Sequence, residues 1–234
     1  MKVIAINSSP RKNKGLTANI LRPFLEGIRE SKADLDLFYT KDLTINFCRS
    51  CYQCWTTTPG KCSQKDDMAI LLPKFREADI WIFASPIYCD GINGSMKTVI
   101  DRLIALMKPV TELRAGRCRH PLREDVKRGK IVFVSSAAWW KMENFDPMIT
   151  YFKAFCNNFD REFVGALLRP HSVALVPLRK EKVIDDINAA AQKAGNQIIK
   201  QGKISQQYLS TISQELMPQE VYIDVLNKGW ETKS

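Results

Sequence analysis

Short, mostly apolar segments recur along this chain and alternate with segments in which apolar residues repeat at helical spacing. The most apolar of them are KVIAIN (residues 2–7), DIWIFAS (79–85) and KIVFVSS (130–136). Runs of this kind are typical of strands that a parallel sheet buries on both faces. Because parallel strands need crossover connections, and helices supply them here, the sequence predicts an α/β protein with a doubly wound parallel sheet.

Two regions depart from this alternation of five predicted strands with helices. Residues 108–129 form a long, charged insertion before the fourth strand, and ordered insertions of this length often cover a site or a partner. After the fifth strand, residues 180–234 predict two amphipathic helices. The first should end at Gly202 and the second at Pro218.

The composition argues against several classes of protein. Hydrophobic residues make up 45% of the 234 residues, but no apolar run is long enough to span a membrane, and the first strand begins without a signal-peptide core. We therefore expect a cytoplasmic protein with no membrane span. The net charge of +10 favours acidic partners, yet the basic residues are dispersed among acidic ones and no nucleic-acid motif accompanies them, so we expect no nucleic-acid function.

Four of the seven cysteines lie close together within residues 47–62. They have the spacing C-x2-C-x2-C-x7-C and are Cys48, Cys51, Cys54 and Cys62. Cytoplasmic thiols stay reduced, so clustered cysteines indicate metal binding or catalysis before disulfides. Four soft sulfur ligands on so short a path suit an iron–sulfur cluster or a zinc ion, and metal-free thiols are the third interpretation.

Three loops leave the predicted carboxyl ends of strands, the edge at which open parallel sheets bind ligands. The first, residues 8–17, leads into a helix N-terminus. Its hydroxyl-bearing and cationic residues are Ser8, Ser9, Arg11, Lys12, Lys14 and Thr17. This combination suits a phosphate monoester. The loop lacks the spacing of a triphosphate-binding loop or a dinucleotide fold, so the predicted anion is a terminal monophosphate.

The other two loops suit a planar ligand. Residues 85–97 place Tyr88 beside flexible glycines just before a helix, a shape that can lie along a flat ring. Residues 135–145 contain small residues that let a planar ligand approach the backbone, followed by Trp139 and Trp140. The tryptophans either stack on a ligand or anchor an interface or core. The three loops together are a much stronger indication than each alone.

The segments SSPRKNKGLT (8–17), ASPIYCDGINGSMKTVIDRL (84–103) and the following SS loop resemble the three FMN loops of the flavodoxin-like NAD(P)H-dependent FMN reductase superfamily. With the cysteine motif, and KDDM after it, the chain resembles the iron–sulfur flavoproteins of that superfamily. The resemblance implies a flavodoxin-like, five-stranded parallel sheet in the order 2-1-3-4-5. It also implies an FMN-binding domain over residues 1–178, with the cysteine loop at 47–65, and a helical C-terminal extension over 179–234 that packs on this domain or on a partner subunit.

The same resemblance assigns site residues. The phosphate would contact Ser9, Arg11 and Thr17, with backbone amides near Gly15 and Leu16. The flavin ring would lie against Pro86, Ile87, Tyr88, Gly91, Ser136, Ala137 and Ala138. The ligands of a [4Fe-4S] cluster would be Cys48, Cys51, Cys54 and Cys62.

One main hypothesis and two alternatives follow. The main one is an FMN-dependent oxidoreductase with a [4Fe-4S] cluster, supplied with electrons by ferredoxin or NAD(P)H and assembled as a homodimer or homotetramer. The alternatives are a cluster-free NAD(P)H-dependent FMN or quinone reductase and a non-catalytic electron-carrier flavoprotein. We expect no catalytic side chain, because the flavin carries the chemistry. His120, in the charged insertion, either reaches a substrate or is structural.

Overall fold

A parallel sheet forms the centre of the protein, whose computed structural model describes residues 1–179 and 181–231. In chain order the strands are β1 (Lys2–Asn7), β2 (Asp34–Tyr39), β3 (Ile80–Tyr88), β4 (Gly91–Ile92), β5 (Glu112–Arg114), β6 (Arg117–Arg119), β7 (Lys130–Ser136) and β8 (Glu162–Arg169). Five of them run parallel in the order β2-β1-β3-β7-β8. This arrangement confirms the predicted α/β fold with a parallel sheet, and the order of the five strands corresponds to 2-1-3-4-5.

Helices cover the sheet. They are α1 (Leu16–Glu30), α2 (Met68–Glu77), α3 (Gly94–Arg102), α4 (Asp146–Asn158), α5 (Lys182–Gln201), α6 (Gln206–Ser213) and α7 (Gln219–Glu231). α5 ends at Gly202, where the sequence predicts it, and the φ of 69° there favours glycine. α6 ends at Ser213, before the end predicted at Pro218. α7 was not predicted, and it begins directly after Pro218, because proline fits the start of a helix. None of the helices in the described ranges combines the length and apolarity needed to cross a membrane.

Each face of the sheet has its own apolar core, because successive residues of a strand point to opposite faces. In β1, Ile4 and Ile6 belong to the core shared with α2, α3 and α4, whereas Val3 and Ala5 belong to the core shared with α1 and α5. Both kinds of position must therefore be apolar. This requirement explains why the strands are almost continuously hydrophobic.

The strand order reverses between β1 and β3, since β1 pairs with β2 on one side and with β3 on the other. β1 ends at Asn7 beside Ala84, and β7 ends at Ser136 beside Pro86. β3 continues past both partners to Tyr88. The three candidate loops therefore leave the sheet along one edge, beside the reversal, where open parallel sheets bind ligands.

The charged insertion, residues 108–129, contains the hairpin of β5 and β6. Its two-residue turn, Ala115-Gly116, has positive φ at both positions, as a type I′ turn requires. Arg114 ties the hairpin to the end of α4 by donating to the carbonyl of Asn158 (3.2 Å). Leu113 is 77% exposed, so the hairpin presents apolar surface to solvent.

Helices α1 and α5 approach each other so closely that glycines form their contact. A Cβ atom on Gly27 would lie 1.9 Å from the carbonyl oxygen of Gln192, and one on Gly195 would lie 1.9 Å from that of Phe24. These neighbours are backbone atoms of a packed helix, which has no space to move aside. α5 therefore packs directly on α1 and shares its core.

We expect Gly195→Ala to lower the free energy of unfolding by about 1–3 kcal/mol, the usual cost of overpacking, although alanine is the better helix former. Urea denaturation followed by circular dichroism measures the change. Gly229→Ala in α7 is the control, because no heavy atom of the described residues lies within 4 Å of its Cβ position. Equal unfolding free energies for the two variants would contradict the packing argument.

Candidate functional site

The first loop begins where β1 ends and is shaped by its own hydrogen bonds. The amide of Ser9 donates to the side-chain oxygen of Asn7 (2.9 Å). Residues Lys12–Lys14 then form one 3-10 turn that leads through Gly15 into α1. A Cβ atom on Gly15 would lie 2.3 Å from the Ser9 hydroxyl oxygen, so a larger residue there would displace that hydroxyl. Ser9 is thereby held beside the first turn of α1, whose free amides attract anions.

The first and third loops meet through a hydrogen bond between two buried hydroxyls. Thr17 Oγ1 and Ser136 Oγ are 2.8 Å apart, and the two residues are only 1% and 4% exposed. The structure thus brings Ser136 to the predicted phosphate loop, whereas the resemblance associated it with the ring. Among the other residues predicted for the phosphate, Arg11 is exposed and Leu16 is half-buried at the start of α1.

Asn93 joins the first and second loops, and the sequence analysis missed it. Its Nδ2 donates to the carbonyl of Ser8 (2.6 Å), and its backbone amide donates to the hydroxyl of Ser85 (3.3 Å). Its Oδ1 accepts the amide of Met96 (3.2 Å) as the N-cap of α3. Asparagine is a preferred N-cap, so the helix start was readable from the sequence. Its contacts with Ser8 and Ser85 depend on the fold, so no pattern in the neighbouring sequence predicts them.

The second loop is a tight hairpin at the end of β3. β3 and β4 pair around Cys89-Asp90, and both turn residues have positive φ. Tyr88 is 51% exposed, and the half-buried residues beside it are Pro86, Ile87 and Gly91. The hairpin therefore presents an exposed aromatic ring at the carboxyl edge of the sheet.

Hydrogen bonds within the protein use most of the backbone of the third loop. The amide of Ala137 donates to the carbonyl of Arg169 (3.0 Å), and the carbonyl of Ala137 accepts the hydroxyl of Ser172 (2.8 Å). The carbonyl of Ala138 accepts the hydroxyl of Tyr222 in α7. Ala137 is buried and Ala138 is exposed. Ala138, rather than Ala137, therefore has surface to offer a ligand.

A buried arginine and a buried histidine hold the C-terminal segment against the third loop. Arg169 donates to the carbonyls of Ile212 (2.7 Å) and Gln214 (2.5 Å) and so caps the end of α6. His171 Nε2 lies 3.0 Å from Arg169 Nη2 and accepts the amide of Leu216 (3.1 Å). Burial, and then the charge of Arg169, lower the pKa of His171 to about 4. The ring is therefore neutral at pH 7, and Nε2 stays an acceptor.

The two tryptophans of the third loop differ in their surroundings. Trp140 is half-buried, its Nε1 donates to the carbonyl of Met217 (3.0 Å), and its ring stacks on His171 with the centroids 5.6 Å apart. Trp139 is 60% exposed. Of the two interpretations open at the sequence level, anchoring applies to Trp140, and Trp139 has surface free for a ligand.

The four clustered cysteines line one small cavity beside the end of α3. Its volume is about 50 Å³, and Arg102 also lines it. Cys54 is buried, Cys51 is exposed, and the other two are half-buried. Within residues 1–179 and 181–231, no three His, Cys, Asp or Glu side chains converge as closely as the ligands of a metal ion do.

The thiols of the cavity differ in how readily they lose a proton. Burial, followed by the charges of the other cavity cysteines, raises the pKa of Cys54. Hydrogen bonds, first from the backbone of Gln53 and then from the hydroxyl of Ser63, lower the pKa of Cys51. The cavity therefore resists holding several thiolates at once unless a positive charge accompanies them.

Arg102, the last residue of α3, fastens the two ends of the cysteine loop. It forms a twofold ion pair with Asp66 (2.7 and 3.0 Å) and donates to the carbonyl of Asn46 (2.6 Å) and the sulfur of Cys62 (3.1 Å). The side chains of Arg102 and Asp66 are 1% and 0% exposed. Burial alone would raise the pKa of Asp66, but hydrogen bonds from Arg102 and from the amides of Asn46 and Met68 outweigh it and hold the pKa below its usual range.

The sequence analysis assigned no role in the site to Asp66 or to Arg102. Asp66 also accepts the amide of Met68 (3.2 Å) at the start of α2. Its ion pair with Arg102 spans 36 positions in the chain. No local pattern links residues so far apart, so only the fold reveals the pair.

The middle of the cysteine loop has separate supports. Arg123 donates to the carbonyls of Cys54 (2.9 Å) and Ala105 (3.1 Å). Trp55 Nε1 donates to the carbonyl of Ile104 (3.1 Å). These bonds attach the loop to the segment that follows α3.

His120 packs against the cysteine loop. Its ring centroid lies 4.6 Å from that of Trp55, and its Nδ1 lies 3.0 Å from the carbonyl oxygen of Val110. The ring also lines an open cleft of about 450 Å³ between α3, α4 and the end of the hairpin. The structure therefore gives His120 a packing role beside Trp55.

Comparison with known proteins agrees with this arrangement. Residues 1–140 match the family model of NADPH-dependent FMN reductases. Over 102 residues the chain is 36% identical to an iron–sulfur flavoprotein of Archaeoglobus fulgidus, an alignment that covers 44% of this chain and 48% of that protein. It is also 36% identical over 102 residues to an iron–sulfur flavoprotein of Methanocaldococcus jannaschii, covering 44% and 51%. The chain thus spans about half the length of these relatives.

The fold has counterparts among solved structures. An FMN-dependent NADH-azoreductase from Bacillus anthracis, solved in complex with FMN, superposes with a TM-score of 0.60 at 14% identity. The superposition covers 85% of this chain and 100% of the azoreductase. At so low an identity, the likeness concerns the fold alone.

We expect the Asp66–Arg102 pair to make stability depend on acid pH. Because folding lowers the Asp66 pKa, its contribution to the unfolding free energy is complete above the ordinary aspartate pKa of about 3.9. That contribution is lost as the pH falls through the lower value of the folded state. Asp66→Asn leaves Arg102 buried without its anion and should cost about 3–5 kcal/mol at pH 7.

Urea denaturation at a series of pH values from 7 to the acid limit of folding measures this dependence. The gap in unfolding free energy between the wild type and Asp66→Asn should narrow only below about pH 4. Asp67→Asn is the control, since Asp67 accepts the amide of Thr44 and the asparagine oxygen can do the same. A gap that stays constant down to the acid limit would show that the ion pair does not have the expected role.

Proposed function

The chain belongs to the NADPH-dependent FMN reductase family, and from that premise we propose that it is an FMN-dependent oxidoreductase of the iron–sulfur flavoprotein type, with a [4Fe-4S] cluster as its second redox centre. The observation that carries the proposal is the position of α3. Asn93, at its N-terminus, joins the first and second loops, and Arg102, at its C-terminus, joins the cysteine loop. One nine-residue helix, about 14 Å long, thus connects the two candidate sites.

The residues at the sheet edge fit a flavin that carries a phosphate. The buried hydroxyls of Ser9 and Thr17 lie beside the start of α1, and Arg11 adds a positive charge. Together with Gly15 and Leu16, they would hold the phosphate. The ring would lie against the second and third loops, at Pro86, Ile87, Tyr88, Gly91 and Ala138. Ser136 lies beside the phosphate loop instead, and the buried Ala137 supports the third loop from behind. Once bound there, FMN supplies the exchange of paired electrons.

The four thiols of the cysteine cavity, Cys48, Cys51, Cys54 and Cys62, are the donor set that an iron–sulfur cluster requires. The relatives named iron–sulfur flavoproteins favour a cluster over a zinc ion. Burial, followed by the charges of the neighbouring cysteines, raises the pKa of Cys54, and a cationic iron core would offset both effects. Arg102 adds a positive charge beside Cys62.

With both groups bound, the protein would convert between paired and single electrons, and we propose ferredoxin or NAD(P)H as the donor. Two relatives bear the name iron–sulfur flavoprotein, which supports this type of protein. Assembly as a homodimer or homotetramer and a cytoplasmic location stay predictions. The exposed Val110 and Leu113 near the hairpin provide apolar surface for such an assembly.

Anaerobic purification, followed by reconstitution with iron and sulfide, tests the cluster. We expect about four irons per chain in the wild type and loss of most of them in Cys51→Ser, because one of four ligands is removed. Cys89→Ser is the matched control: Cys89 is exposed, but it lies in the β3–β4 turn, away from the cavity. Fewer than about two irons in the wild type, or equal losses in the two variants, would contradict the assignment.

Gly15→Ala tests the flavin site. The added methyl group must displace the Ser9 hydroxyl, so we expect the Kd for FMN to rise at least about tenfold, which equals about 1.4 kcal/mol. Quenching of FMN fluorescence on titration measures the Kd. Gly229→Ala in α7 is the control, since Gly229 lies outside the three loops and no described heavy atom lies within 4 Å of its Cβ position. An unchanged Kd in Gly15→Ala would rule out phosphate binding by this loop.

A further inference from the structure

The guanidinium of Arg102 has all four of its terminal N–H groups engaged. Nη1 donates to one carboxylate oxygen of Asp66 and to the carbonyl of Asn46, and Nη2 donates to the other carboxylate oxygen and to the sulfur of Cys62. The four acceptors lie on the two flanks of the cysteine loop. A rigid planar fork is required to reach all of them at once.

The hydrogen bond from Arg102 affects the Cys62 sulfur itself. The carboxylate of Asp66 balances the charge of Arg102, and both side chains are buried. The main effect on Cys62 is therefore the hydrogen bond itself, in which Arg102 Nη2 donates to the sulfur at 3.1 Å. Hydrogen bonds to cysteine sulfurs are among the factors that set the reduction potential of an iron–sulfur cluster, because they stabilise the more negative, reduced state.

The core fixes the position of Arg102. Three residues of α3 and of the turn after it, Met96, Val99 and Leu103, are fully buried in the core on that face of the sheet. Asn93 caps the other end of α3 and bonds to the loops of the flavin site. The guanidinium therefore reaches Cys62 from a helix that the core holds in place.

We propose that Arg102 is a positioning residue whose N–H···S hydrogen bond orients the Cys62 sulfur and raises the reduction potential of the cluster. The inference rests on the proposed function, because it assumes that the cavity holds a [4Fe-4S] cluster. It adds a residue that lies outside the cysteine motif, 40 positions after Cys62.

Arg102→Lys is the primary test. Lysine keeps the positive charge that Asp66 requires, but it has three N–H groups for the four acceptors and lacks the planar fork. Arg123→Lys is the matched control, because Arg123 holds the same loop through the carbonyl of Cys54 and donates no bond to sulfur. A double variant, Asp66→Asn with Arg102→Met, removes both buried charges together and so avoids leaving either one unpaired.

The measurement is a redox titration of the reconstituted protein, with the cluster followed by electron paramagnetic resonance and the iron content determined on the same samples. We expect Arg102→Lys and the double variant to retain iron. Their cluster potential should fall by at least about 59 mV, which equals a tenfold change in the one-electron equilibrium. In Arg123→Lys the same equilibrium should stay within about twofold, a smaller change than one lost charge-assisted hydrogen bond produces.

The outcomes separate this inference from the proposed function. A wild type that binds no iron overturns the cluster, and the inference with it. A wild type with a cluster whose potential is unmoved in Arg102→Lys and in the double variant overturns the inference alone. An equal shift in Arg123→Lys also overturns it, because the effect would then come from a loosened loop and not from the bond to Cys62.

Discussion

Burial of both sheet faces is the constraint on which the rest of the structure depends. α1 and α5 cover one face, α2, α3 and α4 cover the other, and the close contact at Gly27 and Gly195 leaves no gap between the first pair. A ligand can therefore approach the sheet only where strands end. β1, β3 and β7 all end along one edge of the sheet, with β3 extending past the other two. Three loops of otherwise ordinary composition are thus brought into one site.

Buried polar side chains fix the conformation of the loops by hydrogen bonding to their backbone, as neighbouring strands do within a sheet. Loop backbone lacks a ladder of hydrogen bonds, so its buried carbonyls need other donors. Arg169 supplies them at the end of α6, and Arg102 and Arg123 supply them in the cysteine loop. Burial lowers the pKa of Arg169 to about 10, so the group still carries its charge at pH 7. Arginine suits this role because it presents several donors and keeps its proton when buried.

The sequence permitted prediction of the five parallel strands and most helices, because periodicity and composition repeat within a few residues, and the family resemblance implied the order of the sheet. The cysteine motif and the three loops were likewise readable, since each is a continuous segment. The partners of these loops were not. The Thr17–Ser136 and Asp66–Arg102 pairs join residues 119 and 36 positions apart, and α7, whose Tyr222 reaches Ala138, begins after a proline that was interpreted as an end. Such contacts depend on the three-dimensional path of the chain, which no local pattern encodes.

The distance between the two candidate sites is set by the core and not by the loops that form them. α3 carries Asn93 at one end and Arg102 at the other, and its inner residues are fixed in the core by β-sheet neighbours such as Phe83 and Ile6. Sliding α3 along the sheet would require the whole of that core to repack, because interiors are close-packed. The loops can therefore differ in detail without changing the separation of the sites. Two candidate sites built on one helix share a single spacing, which is the geometric condition that the proposed electron transfer between them requires.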